Sequence, residues 1–124
     1  MTDTDTIGAS FAHALAEKDA DALRGLLHPQ IEFRALTPKR AWEADDPGQV
    51  LDIVFGKWFE DSDQIEALEA VETDTVADRE RLLYRVRVSN PEGDFVVEQQ
   101  GYLTEQDGKI GWMRLVCSGY RPVE

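Results

Sequence analysis

The spacing of apolar residues predicts helices in the first part of the chain. Segment 7–17 carries its apolar residues at helical intervals, and Thr4 or Thr6 can act as its N-cap. A second, shorter helix is predicted over 20–27. It ends at His28, because the proline that follows disfavours helical backbone in the residue before it.

The middle of the chain predicts a strand, a loop and a third helix. Apolar and polar residues alternate over 31–36, which is the pattern of a strand with one buried face. Residues 37–46 predict a loop. Asp46 followed by Pro47 is typical of a helix start, with an acidic N-cap and proline at the first helical position. The helix that they begin is the most apolar in the chain and is predicted to end near Glu60.

The rest of the chain is dominated by strand patterns. Residues 65–78 fit either a helix or a strand, and the local pattern leaves both open. Three β-rich runs follow at 82–89, 95–104 and 109–118, separated by an NPEG loop and by an Asp-Gly turn that predicts a hairpin. This order of elements predicts one α+β domain over residues 1–124, with an antiparallel meander at its end.

The two hairpins also predict a register for the meander. If the NPEG loop pairs Ser89 with Asp94, then Arg85 lies opposite Glu98. A two-residue Asp-Gly turn would place Gln100 opposite Leu115. Because side chains alternate along strands, one face of the sheet is then predicted to carry a mixed set of residues: Leu83, Arg85, Arg87, Val96, Glu98, Gln100, Tyr102, Met113, Leu115 and Cys117. The opposite face, which includes Tyr84 and Gln99, is also partly apolar, so we expect helices on one side of the sheet and a second subunit on the other.

Composition narrows the possible partners and the compartment. Thirteen basic and 25 acidic residues among 124 give a net charge of −12, which disfavours binding to nucleic acids and to anionic membranes. Cys117 is the single cysteine, so the chain forms no internal disulfide, and this fits a reducing compartment. The first ten residues, MTDTDTIGAS, lack the basic and apolar regions of a secretion signal, and we expect a cytoplasmic protein.

Two segments carry a resemblance to a known family. FAHALAEKDADALRGLLHPQIEFRAL (11–36) and GYLTEQDGKIGWMRLVCSGYRP (101–122) resemble the nuclear transport factor 2-like superfamily, which includes polyketide cyclases and a steroid isomerase. The resemblance implies an α+β cone, with the N-terminal helices packed in the concave face of a curved, mostly antiparallel sheet around one apolar cavity. It also implies a strand over 66–76 and favours a homodimer through the outer face of the sheet.

The chemistry of the characterised branches does not carry over to this chain. The steroid isomerase branch would need a tyrosine, an aspartate base and a protonated acid at the positions of Phe11, Ala35 (or its neighbour Arg34) and Gln100. The dehydratase branch would need a pair of histidines inside the cone, and neither His13 nor His28 is on a meander strand. The two histidines are also far apart in the sequence, so we predict no metal site, and we predict no cofactor.

The remaining candidates define a binding site and one possible catalytic pair. Glu98 held by Arg85 would act as an acid/base carboxylate, or the two would form a structural ion pair. Trp58 and Phe59 are interpreted as helix core in preference to cavity wall. The predicted substrate-binding residues are Phe11, Arg34, Trp42, Gln100, Tyr102, Met113, Leu115 and Cys117.

Together these residues predict a domain that binds a small organic molecule in an apolar cavity. Two alternatives stay open. The first is a cyclase, dehydratase or hydrolase of a small metabolite that uses Glu98 with Arg85. The second is a protein-interaction module without catalysis.

Overall fold

The computed structural model describes residues 6–123, so the predicted cap at Thr4 lies outside the described residues. Its helices are α1 (Ile7–Ala16), α2 (Ala20–Gly25) and α3 (Pro47–Ile53), and α3 continues into a π-helical turn, Val54–Trp58. Its strands are β1 (Leu27–Thr37), β2 (Arg40–Ala44), β3 (Gln64–Val76), β4 (Arg79–Asn90), β5 (Gly93–Gln106), β6 (Lys109–Cys117) and β7 (Arg121–Pro122). None of the helices in residues 6–123 is long and apolar enough to cross a membrane.

Side-chain caps explain where the helices begin. Thr6 accepts a hydrogen bond from the Ala9 amide at 3.1 Å, which begins α1. Asp46 accepts one from the Gln49 amide at 2.8 Å, and proline occupies the first turn of α3 as predicted. The predicted starts of both helices are therefore confirmed.

The strands form one curved sheet in the order β2-β1-β6-β5-β4-β3, with β7 added against β5. Only β1 and β6 run parallel among the described strand pairs. The helices cover the concave side, here called the inner face, and the opposite side is the outer face. This arrangement confirms the predicted fold class. The core lies between the helices and the inner face, and its largest buried side chains include Phe11, Leu15, Phe33, Phe59, Leu82, Tyr84, Leu103 and Met113.

In the middle of the chain the structure corrects one prediction and decides between the two alternatives left open for residues 65–78. Residues 40–44 are not a loop: they form β2, which pairs with β1 through a turn in which Lys39 has φ of 73°. This edge strand is mostly exposed, so its sequence lacks the apolar alternation that reveals a strand. Residues 64–76 form a strand throughout, and two register shifts against β4 explain why the apolar alternation there was ambiguous.

The predicted register holds on one side of β5 and is wrong on the other. On the β4 side, Arg85 faces Glu98 and Ser89 faces Asp94, as predicted. On the β6 side, the predicted pairing of Gln100 with Leu115 is wrong, because Gln100 pairs with Val116.

A bulge in β6 causes this shift of one residue. Next to the Asp-Gly turn, Gln106 pairs with Lys109, as a two-residue turn requires, but farther along Thr104 pairs with Trp112. Gly111 is the extra residue, and a Cβ built on it would lie 2.8 Å from the Cβ of Gln106. When the pairing shifts by one residue, each following side chain of β6 lies on the opposite face from the predicted one, relative to β5. Met113, Leu115 and Cys117 therefore lie on the inner face, whereas Glu98, Gln100 and Tyr102 lie on the outer face.

Candidate functional site

Two hollows, one on each side of the sheet, are candidates for the site. The first, here called the inner cavity, has a volume of about 200 Å³ and lies beneath the π-helical turn. The second, here called the outer groove, has a volume of about 680 Å³ and runs along the outer face of β1, β6 and β5. The lining of the inner cavity includes Trp42, Trp58, Phe59, Gln99, Cys117 and Tyr120. The lining of the outer groove includes Arg34, Leu36, Arg81, Tyr102, Arg114 and Val116.

The π-helical turn builds one wall of the inner cavity. The Phe59 amide donates to the Val54 carbonyl at 2.9 Å, a bond that spans five residues instead of four. Trp58 and Phe59 are both buried against the sheet as a result, with 7% and 1% of their surfaces exposed. The Tyr120 hydroxyl donates to the Trp58 carbonyl at 2.7 Å and holds the C-terminal segment against this turn. Single π turns within α-helices are frequent at functional sites.

Aromatic rings supply most of the apolar surface of the inner cavity. The rings of Trp42 and Trp58 meet edge to face, with centroids 6.3 Å apart. Phe59 and Tyr120 pack with centroids 6.2 Å apart. The Trp42 indole N–H donates to the hydroxyl of Thr37 at 2.8 Å, so its polar atom is satisfied within the protein.

Two other polar atoms in the same cavity are not satisfied within the protein. The Tyr84 hydroxyl donates to Oε1 of Gln99, and both side chains are buried, with 0% and 1% exposed. Within residues 6–123, the other polar atom of the amide, Nε2, is buried without a hydrogen-bond partner, and so is Nε1 of Trp58. A buried polar group without a partner costs about 1–3 kcal/mol. Both donors are therefore buried beside the inner cavity, on residues that line it.

Two phenols in this region, those of Tyr84 and Tyr120, have raised pKa values. Burial raises the pKa of Tyr84 well above its ordinary value, and the nearby Cys117 adds to the shift. Burial and the Asp63 carboxylate also raise the pKa of Tyr120. Both phenols stay protonated at neutral pH. No Asp, Glu or His is among the described residues that line the inner cavity, so its side chains suit binding and orientation better than proton transfer.

Two of the predicted substrate-binding residues, Trp42 and Cys117, line the inner cavity. Cys117 is half-buried, and its sulfur accepts from the Gly119 amide at 3.3 Å. Phe11, Met113 and Leu115 are buried in the core instead, and the Phe11 ring lies 6.2 Å from that of Tyr84. The functional roles assigned to these residues stay predictions.

The other predicted residues lie on the outer face. Arg34, Gln100 and Tyr102 line the outer groove, and so do two residues named above, Trp42 and Leu115. Arg85 and Glu98 form a cross-strand ion pair at 3.2 Å, with 44% and 37% of their side chains exposed. The prediction that Glu98, Gln100 and Tyr102 share a face with Met113, Leu115 and Cys117 is wrong, because of the bulge at Gly111. The catalytic role of Glu98 with Arg85 stays a prediction, at a place outside the inner cavity.

The charges of the outer groove are already paired. Arg34 lies 3.1 Å from Glu43 and 3.3 Å from Asp45, and Arg81 lies 2.9 Å from Asp74. Arg114 bonds to Glu32 and lowers the pKa of that carboxyl by hydrogen bonding and by its charge. Leu36, Tyr102 and Val116 leave apolar surface exposed between these pairs, at 55%, 39% and 54% exposure.

Sequence reasoning missed Gln99 as a site residue. It placed this residue on the face opposite the expected cavity, although Gln99 alternates with Val97, which is also buried on the inner face. A polar residue within an apolar alternation was the available signal. Trp58 was recognised as buried, but its position in a cavity wall depends on the π-helical turn. Metal ligands were not predicted, and among residues 6–123 no three His, Cys, Asp or Glu side chains lie together in a way that could hold a metal ion.

Comparison with solved structures identifies proteins that share this fold. No protein-family model matches the chain, and no curated protein matches it in sequence. A candidate isomerase from Rhodopseudomonas palustris is similar over 94% of this chain and 93% of its own, with a TM-score of 0.75 and 15% identity. A candidate polyketide cyclase from Xanthomonas campestris is similar over 89% and 86%, with a TM-score of 0.69 and 14% identity. A protein with a ketosteroid isomerase-like fold from Catenulispora acidiphila, in complex with trimethylamine, is similar over 94% and 88%, with a TM-score of 0.68 and 13% identity. The TM-scores show a shared fold, and at these identities the likeness shows the fold alone.

Proposed function

We propose that this chain, which has the fold of the nuclear transport factor 2-like superfamily, binds a small and largely apolar organic molecule in its inner cavity. One observation carries the proposal: aromatic rings of Trp42, Trp58, Phe59 and Tyr120 line a hollow on the inner face of the sheet. The volume of about 200 Å³ is below the roughly 300–1,000 Å³ of drug-sized pockets. The ligand is therefore small, comparable to a single substituted ring.

The chemistry of the two hollows supports the inner cavity over the outer groove. The arginines of the outer groove are paired with carboxylates, so a polar ligand there would have to compete with existing ion pairs. The inner cavity is lined mostly by aromatic and apolar side chains, and no Asp or Glu is among its described lining residues. Binding is also better supported than catalysis, because the alternative that relies on Glu98 and Arg85 would act at an exposed ion pair on the outer face.

A pair of substitutions separates the two hollows. Cys117→Phe places a ring in the inner cavity, and Gln100→Phe places the same ring in the outer groove. Native mass spectrometry of the protein from its own host would identify a co-purified molecule, and tryptophan fluorescence would report its rebinding through Trp42 and Trp58. We expect Cys117→Phe to abolish binding and Gln100→Phe to leave it unchanged. The opposite pattern would move the site to the outer groove and refute the proposal.

We also propose that two copies of the chain associate through the outer face. Leu36, Tyr102 and Val116 expose apolar surface in one groove, which is typical of an interaction surface. The net charge of −12 would make two copies repel each other at long range. The arginine–carboxylate pairs at the groove keep the local charge small, and this supports contact at that place.

The proposed compartment is the cytoplasm. The support for this proposal is the single cysteine, Cys117, which is free and half-buried. Free thiols persist most readily where the environment is reducing.

A further inference from the structure

We infer that Lys18 is a positioning residue for the inner cavity, because its ammonium group holds the turn at 60–63 that follows the π-helical wall. This inference rests on the proposed function, since it names the residue on which the shape of that same cavity depends. Lys18 lies between α1 and α2, 42 residues before Glu60 in the sequence. It is not among the described residues that line the cavity.

The backbone of Lys18 has a conformation that glycine adopts more easily. Its φ of 52° lies in the left-handed region. Its amide donates to the Leu15 carbonyl, and the Asp19 amide donates to the Ala14 carbonyl, both at 3.0 Å. These two bonds form a Schellman motif at the end of α1, and the left-handed position of that motif is usually glycine. Lysine here carries strain that glycine would avoid, so we expect its side chain to have a compensating role.

The side chain of Lys18 bonds to a closed turn that follows the π-helical turn. Its Nζ donates to the Glu60 carbonyl at 2.7 Å and to the Asp63 carbonyl. The turn is closed by two further bonds: the Glu60 amide donates to the Asp63 carboxylate at 3.0 Å, and the Asp63 amide donates to the Glu60 carbonyl at 2.9 Å. Carbonyls near the end of a helix lack partners within it, and a lysine side chain can supply one. Lys18 therefore fixes this turn to the end of α1.

The clamped turn is continuous with the wall of the inner cavity. Trp58 and Phe59 line the cavity and directly precede Glu60 in the chain. A π turn is rare compared with an α turn, so contacts from outside the helix are needed to favour it. Tyr120 bonds to the Trp58 carbonyl, and Lys18 bonds to the Glu60 carbonyl two residues later. Without Lys18, we expect this segment to lose the fixed geometry that buries the two aromatic rings against the sheet.

Two substitutions separate the backbone of Lys18 from its side chain. Lys18→Gly removes the strain and the hydrogen bonds together, whereas Lys18→Met removes the hydrogen bonds and keeps the strain. We expect Lys18→Gly to melt near the wild-type temperature, because relief of the strain offsets the lost bonds, and Lys18→Met to melt at a lower one. Both variants should lose affinity for a molecule in the cavity, including the variant that stays stable. A purely structural lysine would affect binding only as far as it affects stability.

Phenol, a single substituted ring, is the probe, and its affinity for the full chain is measured by titration calorimetry. We expect both Lys18 variants to bind phenol about tenfold more weakly than the wild type. Lys39→Gly is the matched control. Lys39 also has a positive φ, of 73°, and within residues 6–123 its side chain makes no hydrogen bond or ion pair. This variant should bind phenol with wild-type affinity.

Hydrogen exchange provides a second measurement that does not depend on a ligand. The Phe59 amide closes the π turn through its 2.9 Å bond to the Val54 carbonyl. We expect this amide to exchange about tenfold faster in both Lys18 variants than in the wild type, and at the wild-type rate in Lys39→Gly.

The possible outcomes separate the inference from the proposed function. Wild-type phenol affinity in Lys18→Gly, with binding that Cys117→Phe blocks, would overturn the inference and support the proposed function. Unchanged exchange of the Phe59 amide in Lys18→Gly would also overturn the inference alone. Phenol binding that Cys117→Phe does not block would overturn both, and so would absence of phenol binding together with a co-purified molecule that Cys117→Phe retains.

Discussion

Tyr84 and Gln99 lie directly opposite each other on β4 and β5, and the Tyr84 hydroxyl donates to the Gln99 side-chain oxygen. This polar pair is buried within an otherwise apolar core, where the ring of Phe11 packs 6.2 Å from that of Tyr84. Each group supplies the hydrogen bond that the other needs in order to be buried. The pair therefore links the core beneath α1 to the floor of the inner cavity.

Removing the Tyr84 hydroxyl should destabilise the fold. In Tyr84→Phe, Oε1 of Gln99 becomes a buried acceptor without a partner, and we expect the free energy of unfolding to fall by about 1–3 kcal/mol. Urea denaturation followed by circular dichroism measures this change. Tyr84→Phe/Gln99→Met removes both partners and should recover part of the loss. A single variant as stable as the wild type would show that the pair contributes nothing to folding.

Close backbone packing should make Gly101 intolerant of any side chain. A Cβ at this position would lie 1.7 Å from the carbonyl oxygen of Arg114, a backbone atom that cannot move independently. We expect Gly101→Ala to lower the free energy of unfolding by about 2–4 kcal/mol. Gly25→Ala is the matched control: a Cβ there meets nothing within 4 Å, and the change should be neutral or stabilise by about 0.5–1 kcal/mol. Equal stability of the two variants would contradict this account.

Local signals were sufficient to predict most of the fold. The N-cap at Asp46 and the Asp-Gly turn before Lys109 are short-range features, and the structure contains both. The bulge at Gly111 has no comparable local signature, because a glycine in a strand also occurs without a bulge. This extra residue changes which side chains of β6 share a face with which side chains of β5. Met113, Leu115 and Cys117 were therefore grouped with residues on the outer face of β5.

The site was harder to predict than the fold because it depends on contacts between distant segments. The apolar pattern of 50–59 correctly indicates that Trp58 is buried, but not that its N–H lacks an acceptor. Gln99 becomes a candidate site residue through its bond to Tyr84 and because it lines the same cavity as Trp58 in the folded chain. The spacing of apolar and polar residues along one strand predicts neither of these two contacts.

Charge placed on the outer face should dissociate the proposed dimer. In Leu36→Lys/Val116→Lys, two exposed apolar residues of the outer groove become cationic, and two copies would then bring four lysines together. We expect light scattering after size-exclusion chromatography to change from the mass of a dimer to that of a monomer. Ser62→Lys in the exposed loop before β3 is the control and should stay dimeric. A monomeric wild-type protein would refute the proposal directly.

The Arg85–Glu98 ion pair should contribute little to stability or to binding in the inner cavity. Both side chains are more than one third exposed, and exposed ion pairs contribute about 0–1 kcal/mol. We expect Glu98→Gln to leave the melting temperature nearly unchanged and to bind the co-purified ligand with wild-type affinity. Loss of ligand affinity in this folded variant would indicate that Glu98 belongs to the binding site and would support the catalytic prediction.

Alkaline pH should destabilise the protein through the buried phenol of Tyr84 and the half-buried phenol of Tyr120. The pKa values of Tyr84 and Tyr120 are raised in the folded state, whereas tyrosines in the unfolded chain titrate near about 10. Above that pH the unfolded chain has released these protons and the folded chain has kept them. The stability that the phenols contribute is therefore complete below about pH 10 and is lost as the pH rises.

The slope of this loss identifies the groups responsible. Each of the two phenols can contribute up to about 1.4 kcal/mol per pH unit. Tyr120→Phe removes one phenol together with its 2.7 Å bond to the Trp58 carbonyl, so it should be less stable at neutral pH but lose stability less steeply above about pH 10. Urea titrations of the wild type and the variant at several alkaline pH values measure the difference in slope. Parallel curves would mean that Tyr120 ionises equally easily in the folded and unfolded chains, and that its position against the π-helical turn does not protect it from solvent.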